Sequence, residues 1–169
     1  IISFALNYTM NDKGQSDLSK KLASGYTNSS VLSNGTWYKF KVDTTGVFKI
    51  DKKLLQQIGV NTAGLDPKNI KLYGNGGKLL PQLNSDFRYD DLQENAIYVE
   101  GEQDGVFDDQ DFILFYAQGP HHWMINSTQA DLTRHQTNLY SDFSYYFITT
   151  DNGSGKRIQT KNAIDQPAD

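Results

Sequence analysis

The sequence predicts an all-β fold, mainly antiparallel, in the form of a β-sandwich-like domain with one short helix. Three observations lead there. The apolar segments are four to eight residues long and rich in Val, Ile, Phe and Tyr. That is strand length, too short for helices. Several alternate apolar and polar residues at period two, which puts one set of side chains on a buried face. Gly, Asn and Asp clusters break them at short intervals, and closely spaced strands with turn residues between them pack as two sheets. At 169 residues the chain is long enough for one full core. Only 37% of it is apolar, but it holds ten Tyr and nine Phe, so aromatic rings must fill much of that core.

Taken in order, Ile1 to Tyr8 (IISFALNY) reads as a strand, either from a preceding domain or pairing with the main body across a long excursion. Residues 9–34 are rich in Ser, Asn, Gly and Lys. So few apolar points cannot offset the entropy of ordering, so the segment reads as linker, with one loose helical turn over Asp17–Leu22. A module spanning residues 35–158 follows. Thr36 to Val42 alternates as a strand, Asp43 to Gly46 turns, and Val47 to Ile50 completes an expected β-hairpin. Asp51 can cap the N-terminus of a helix over Lys52–Ile58, with Gly59 just past its end and Leu54, Leu55 and Ile58 as its apolar stripe. After Asp66-Pro67 comes a strand at Ile70–Tyr73, ended by Gly74-Asn-Gly-Gly77, then a polar loop from Pro81 to Glu94. His121 to Ser141 reads as irregular, anchored by Trp123 and Leu139. Phe143 to Thr150 is a strand, Lys156 to Ile158 starts a short one, and residues 159–169 read as a linker toward a downstream domain.

The chemistry concentrates between Glu100 and Ala117. Six carboxylates (Glu100, Glu102, Asp104, Asp108, Asp109, Asp111) fall within twelve residues without one Lys or Arg. Ala96–Val99 before them and Phe112–Ala117 after them read as neighbouring strands. Net charge is −4, and this stretch alone carries −6, so the remainder is close to neutral. Two readings of the stretch stand. The plainer one is a solvated hairpin loop whose like charges tolerate each other in water. The other is a calcium site with Asp104-Gly105 at the bend and Glu100, Glu102, Asp104, Asp108 and Asp111 as oxygen donors, because a hard cation takes six to eight oxygens. Glu in place of an early Asp, Asp in place of the closing bidentate Glu, and strands in place of helices count against calcium.

Other motifs are weaker. Tyr73-Gly-Asn-Gly-Gly-Lys78 lacks the Walker ending and reads as a tight turn. His121 and His122 are adjacent, so they point opposite ways in an extended chain, and His135 lies far off in sequence, a poor set for a transition metal. No Ser sits in a nucleophile elbow. Cys is absent, which excludes disulfides, thiolate metal sites and a cysteine nucleophile within these residues. No basic stripe argues for nucleic acid, and no apolar run reaches membrane-spanning length. The chain begins at Ile1, not Met, and reads as a processed or excised segment.

One family matches several stretches in order. They are Gly35-Thr-Trp-Tyr-Lys-Phe-Lys-Val42, Thr45-Gly-Val-Phe-Lys-Ile50 and Ile70-Lys-Leu-Tyr-Gly-Asn-Gly-Gly77. Asp91-Leu-Gln-Glu-Asn-Ala-Ile97, Gly101 to Gly119, Tyr145-Tyr-Phe-Ile-Thr-Thr150 and Gly155-Lys-Arg-Ile158 continue the series. Together, from about Val31 to Ile158, they resemble the N-terminal region of the PorU sortases of the Bacteroidetes type IX secretion system, which are gingipain-like cysteine peptidases. The resemblance implies an exported, cell-surface protein associated with the outer membrane beside a PorV-like barrel. It also implies a downstream peptidase domain that cleaves C-terminal sorting signals and attaches cargo to the surface. The catalytic Cys and His would lie beyond Asp169, so no catalytic residue carries over, and this segment would be a non-catalytic β-module. Two other expectations remain: a calcium-stabilised carbohydrate- or protein-binding module with Trp37 and Trp123 on its face, and an inhibitory pro-segment presenting Arg134 or Arg157 to a peptidase cleft.

Overall fold

A computed structural model describes residues 27–125, 133–151 and 153–159; the strand expected at Ile1–Tyr8, the turn at Asp17–Leu22 and the tail from residue 160 lie outside them. The strands are β1 (Tyr38–Val42), β2 (Gly46–Asp51), β3 (Lys71–Tyr73), β4 (Glu94–Asn95), β5 (Tyr98–Glu100), β6 (Phe112–Ala117), β7 (His121–Ile125), β8 (Thr133–Thr137) and β9 (Ser144–Thr149). A four-stranded sheet runs β1-β9-β3-β4, a three-stranded sheet runs β2-β6-β5, and β7 and β8 pair alone. The named pairs are all antiparallel. With one α-helix among the described residues, α1 (Lys52–Gln57), this is the all-β, sandwich-like domain the sequence predicts.

The two larger sheets meet through aromatic rings. Phe40 of β1 stands edge-on to Phe115 of β6 at 5.8 Å and stacks on Tyr146 of β9 at 6.0 Å, while Tyr146 meets Phe115 at 5.4 Å. Phe48 of β2 completes the set against Phe115. Around them lie Ile50, Leu55, Ile70, Leu72, Ile97, Phe107, Ile113 and Ile148, each buried to about 99% or more. Burying one such side chain is worth about 1.5–3 kcal/mol. Tyr146 keeps its polar tip satisfied: its hydroxyl accepts from the Gln118 N–H at 2.7 Å and donates to the Gln118 carbonyl at 3.2 Å. Burial pushes its pKa up.

The expected hairpin between β1 and β2 does not form. β1 pairs with β9 and β2 with β6, so the chain crosses from one sheet to the other between them. The crossing is tied down at Thr45, whose hydroxyl donates to the His121 carbonyl at 3.3 Å and accepts from the Gly119 N–H at 2.9 Å. Gly119 lies so close that a Cβ there would stand 2.5 Å from the Thr44 carbonyl carbon. Phe40 and Phe48, eight residues apart, therefore enter the core from opposite sides.

Helix α1 follows its sequence signals. The Asp51 carboxylate accepts from the Leu54 N–H at 2.8 Å. At the other end Gly59 takes φ +98°, its N–H donates to Gln56, and the Val60 N–H reaches back to Leu55 at 2.9 Å. That is a Schellman close, and Leu55 and Val60 join the core together.

Two further expectations are corrected. The segment read as irregular contains β7 and β8, and its presumed anchors are exposed: Trp123 is 67% and Leu139 80% accessible. Asn138 does the anchoring, with its N–H on the Pro120 carbonyl at 3.0 Å and its side-chain amide on the Gly77 carbonyl at 2.8 Å. Residues 27–34, expected as linker, contain a 3-10 turn at Val31–Ser33 and are bonded to the body. Thr27 donates to Asp90, and the Ser30 hydroxyl and Val31 N–H donate to Asp91 at 2.8 and 2.5 Å.

Candidate functional site

The acidic stretch is a loop between paired strands. β5 and β6 are antiparallel neighbours with Glu100 opposite Phe112, so the expected ribbon is present. Inside the loop each carboxylate has its own task. Glu100 accepts a hydrogen bond from the Tyr98 hydroxyl; that bond, with some burial, raises the Tyr98 pKa. Asp111 is folded inward, 6% exposed, and accepts from the Asp108 N–H at 2.8 Å. Gly101, at φ +84°, makes room for it, since a Cβ there would fall 1.7 Å from an Asp111 oxygen. Asp104 accepts from the Val106 N–H at 3.0 Å and Asp108 from the Gln110 N–H at 2.8 Å, both local turns that hold the backbone.

Three contacts then fasten the loop to the body. Phe107 is fully buried and its N–H donates to the Leu65 carbonyl at 2.8 Å. Asp109 pairs with Lys52 of α1 at 2.9 Å. Glu102 pairs with Arg157 at 2.6 Å. Glu100, Glu102, Asp104, Asp108 and Asp111, grouped on a calcium template from their spacing, thus face different partners. Among the described residues no three His, Cys, Asp or Glu side chains come together as a metal ion would need.

The Arg157 end of this arrangement is the densest polar site described. Its guanidinium donates to Glu102, to the Pro67 carbonyl at 2.8 Å, to Lys68 at 3.1 Å and to Ile70 at 3.2 Å. The flat five-donor fork suits such a spread of acceptors, which a lysine could not match. The backbone on either side is also stitched in. Ile97 donates to the Lys156 carbonyl at 3.1 Å, Ile158 donates back to Ile97 at 2.9 Å, and the Gly155 N–H reaches Lys68 at 3.0 Å. Ile97 and Arg157 form a parallel bridge. Residues 155–158 are therefore a strap that joins the Pro67–Asn69 turn, β5 and the acidic loop. Arg157, expected as an exposed residue for a peptidase cleft, is three-quarters covered and fully engaged. Its partners lie 55 to 90 residues away in sequence, so no local pattern announces it. The side chain of Arg134 lies outside the described set.

The weaker motifs resolve structurally. In the glycine-rich turn, a Cβ at Gly74 would stand 2.4 Å from the Tyr146 ring, and one at Gly77 would meet Ser144 and the Pro120 backbone. Those glycines let the turn close over the core. His121 and His135 are neighbours after all, their rings stacked at 5.7 Å across the β7–β8 pair, with Trp123 edge-on to His135. The pKa of His122 is lowered by burial and by Lys78 and His135. Trp37 is held by its indole N–H on the Asn34 carbonyl at 2.7 Å and stands edge-on to Tyr73. An open cleft of about 440 Å³ lies between α1 and the acidic loop, lined by Lys52, Gln56, Asn61, Thr62, Val106 and Phe107 among others. On its wall the Thr62 hydroxyl accepts from the Gln56 side-chain amide at 3.0 Å. No helix among the described residues is long and apolar enough to cross a membrane.

No protein-family model matches the chain, and no curated protein matches it. Among solved structures, it is similar to the crystal structure of dimeric latent PorU from Porphyromonas gingivalis, with a TM-score of 0.57 and 27% sequence identity, covering 79% of this chain. This chain resembles one region of PorU. It spans 11% of the length of that protein chain. The PorU-like region is thus a small part of a much longer polypeptide in the relative, and the ribbon, the acidic loop and the strap described above are features of a PorU-like β-domain.

Proposed function

We propose that this chain is a non-catalytic β-module of a PorU-type sortase of the type IX secretion system. Its task is to support a downstream gingipain-like peptidase domain that removes C-terminal sorting signals and attaches cargo to the surface. The observation that carries the reading is the likeness to a region of PorU at 27% identity over 79% of this chain. Two features of the chain support it. It has no Cys with which to form a thioester, and its most concentrated charges are engaged in holding the loop, helix and strap together. On this reading the protein is exported and sits at the cell surface, outer-membrane associated, beside a PorV-like barrel. Using Arg157 as a bait residue in a peptidase cleft would first require breaking its bonds to Glu102 and three carbonyls, which counts against that form of the pro-segment alternative.

The test is complementation in trans. Porphyromonas gingivalis PorU lacking its matching region is mixed with this chain, and association and cleavage of a sorting-signal peptide are followed. Association with restored cleavage, together with no cleavage by the chain alone, supports the reading. Failure to associate at micromolar concentrations, or hydrolysis by the chain alone, contradicts it.

A further inference from the structure

The outer face of the four-stranded sheet carries an arrangement that neither the core nor the strap uses. β1 is an edge: β9 lies on one side of it, and among the described residues no hydrogen bond reaches its backbone from the other. Alternate N–H and C=O groups along Tyr38–Val42 therefore face away from the sheet unpaired. The two outward side chains of β1 between its ends are Lys39 and Lys41, both exposed. Neither makes an ion pair, the described pairs being Lys52 with Asp109 and Arg157 with Glu102.

Edge strands often carry lysines, and there the charge normally blocks pairing by projecting past the edge. Here both lysines lean the other way. The Lys39 ammonium sits 3.9 Å from the centre of the Tyr145 ring, and the Lys41 ammonium 3.8 Å from that of Phe143. Tyr145 lies in β9 and Phe143 just before it, on the inner side of β1. The cation–π contacts hold the charges flat over the sheet and leave the free backbone edge uncovered. Residues two apart on one strand face the same side about 6.8 Å apart. The stems of Lys39 and Lys41 therefore leave β1 at the repeat of alternate side chains on an added strand.

We propose that β1 is a docking edge for an extended protein segment with Asp or Glu at every second position. The segment adds as a fifth strand beside β1, its backbone pairing with the free edge and successive carboxylates drawing the Lys39 and Lys41 ammoniums off the Tyr145 and Phe143 rings into cross-strand pairs. Main-chain bonds supply affinity and the cross-strand charge pairs supply register and selectivity.

The test uses the 169-residue chain and three probes: a short blocked peptide alternating Glu and Val, its Lys/Val counterpart, and polygalacturonate as an anionic glycan. The Glu/Val peptide should shift the backbone amides of Tyr38–Val42 and bind more weakly as salt is raised. The double variant Lys39→Glu with Lys41→Glu should lose that peptide by about tenfold or more and gain the Lys/Val peptide. Lys49→Glu, on the other sheet, should change neither. If the double reversal does not fold, Lys39→Gln with Lys41→Gln replaces it and must show the same loss with a flattened salt dependence. Binding of the Lys/Val peptide cannot be mimicked by misfolding. The proposal is overturned if the Glu/Val peptide does not bind, if the shifts fall outside β1, or if Lys49→Glu weakens binding as much. It is also overturned if polygalacturonate binds more tightly and shifts Trp37 and Tyr73 instead.

Discussion

Replacing Arg157 by Met keeps the aliphatic stem and removes the charge and all its donors. Glu102 then loses its cation at 2.6 Å, and the carbonyls of Pro67, Lys68 and Ile70 lose theirs. A hydrogen bond to a charged group contributes about 1.5–3 kcal/mol and an ordinary one about 0.5–1.5. The two side chains are 23% and 25% exposed, so water recovers part of the loss, and the full cost of breaking a buried pair does not apply. A net destabilisation of about 3 kcal/mol follows. In a domain of this size about 1 kcal/mol moves the melting temperature by 2–4 °C, so the midpoint should fall by roughly 6–12 °C. Arg157→Lys should recover less than half of that, because a three-donor ammonium cannot serve the four acceptors around the guanidinium. A cycle with Glu102→Gln should give a coupling of about 1–2 kcal/mol. Thermal unfolding gives the midpoints, and hydrogen exchange at the Ile97 and Ile158 amides shows whether the strap has lifted. A shift under about 3 °C for Arg157→Met, or an Arg157→Lys variant as stable as the parent, would refute the strap as described.

Gly119→Ala should cost about 2 kcal/mol or more in denaturant unfolding, since its Cβ would press on the Thr44 backbone where the chain crosses between sheets; a neutral effect would mean the crossing has slack. Burial works to raise the Asp91 pKa, but the donors Val31, Leu92 and Ser30 outweigh it and hold the carboxyl low. The stability it lends is complete above its unfolded value of about 3.9 and drains away as pH falls through the folded one. The Val31 amide should therefore lose exchange protection on acidification before the core does, and Asp91→Asn should abolish that step. His122 is held neutral by burial, so its contribution is present above about pH 6.5 and is lost as pH falls through its lowered folded value. The β7–β8 pair should loosen on acidification in that range, less so with His122→Gln, as followed by amide shifts of His121 and Thr137. Unfolding in calcium against chelator decides the cation reading of the acidic loop: a gain near the ~2.7 kcal/mol expected at a hundredfold saturation supports it, and an unchanged midpoint rejects it.

What the sequence disclosed and what it hid divide along physical lines. Signals that act within a few residues were legible: the Asp51 cap, the Gly59 close and the ribbon around the acidic loop each depend on neighbours in the chain. Partner choice was not. Alternation in Thr36–Val42 and Val47–Ile50 tells which side chains turn inward but not which strand lies alongside, and a short turn between them suggested a hairpin. Thr45 and Gly119, far apart in the sequence, decide otherwise. The β7–β8 segment hid because its residues His121, His122, Arg134, His135 and Gln136 lack the apolar rhythm of a half-buried strand. At the acidic loop the sequence showed a crowd of charge without showing its partners. Lys52 and Arg157 lie about fifty residues to either side of it, and spacing within the loop carries no information about them.

The most direct measurement is a domain exchange. The region of Porphyromonas gingivalis PorU that matches this chain is replaced by residues 35–158, and cleavage of cargo sorting signals is measured in cells. Cleavage at close to the native rate, with the exchanged protein reaching the surface, is the predicted result. A folded, surface-exposed exchange product that leaves its cargo uncleaved would contradict the reading of this chain as a sortase module.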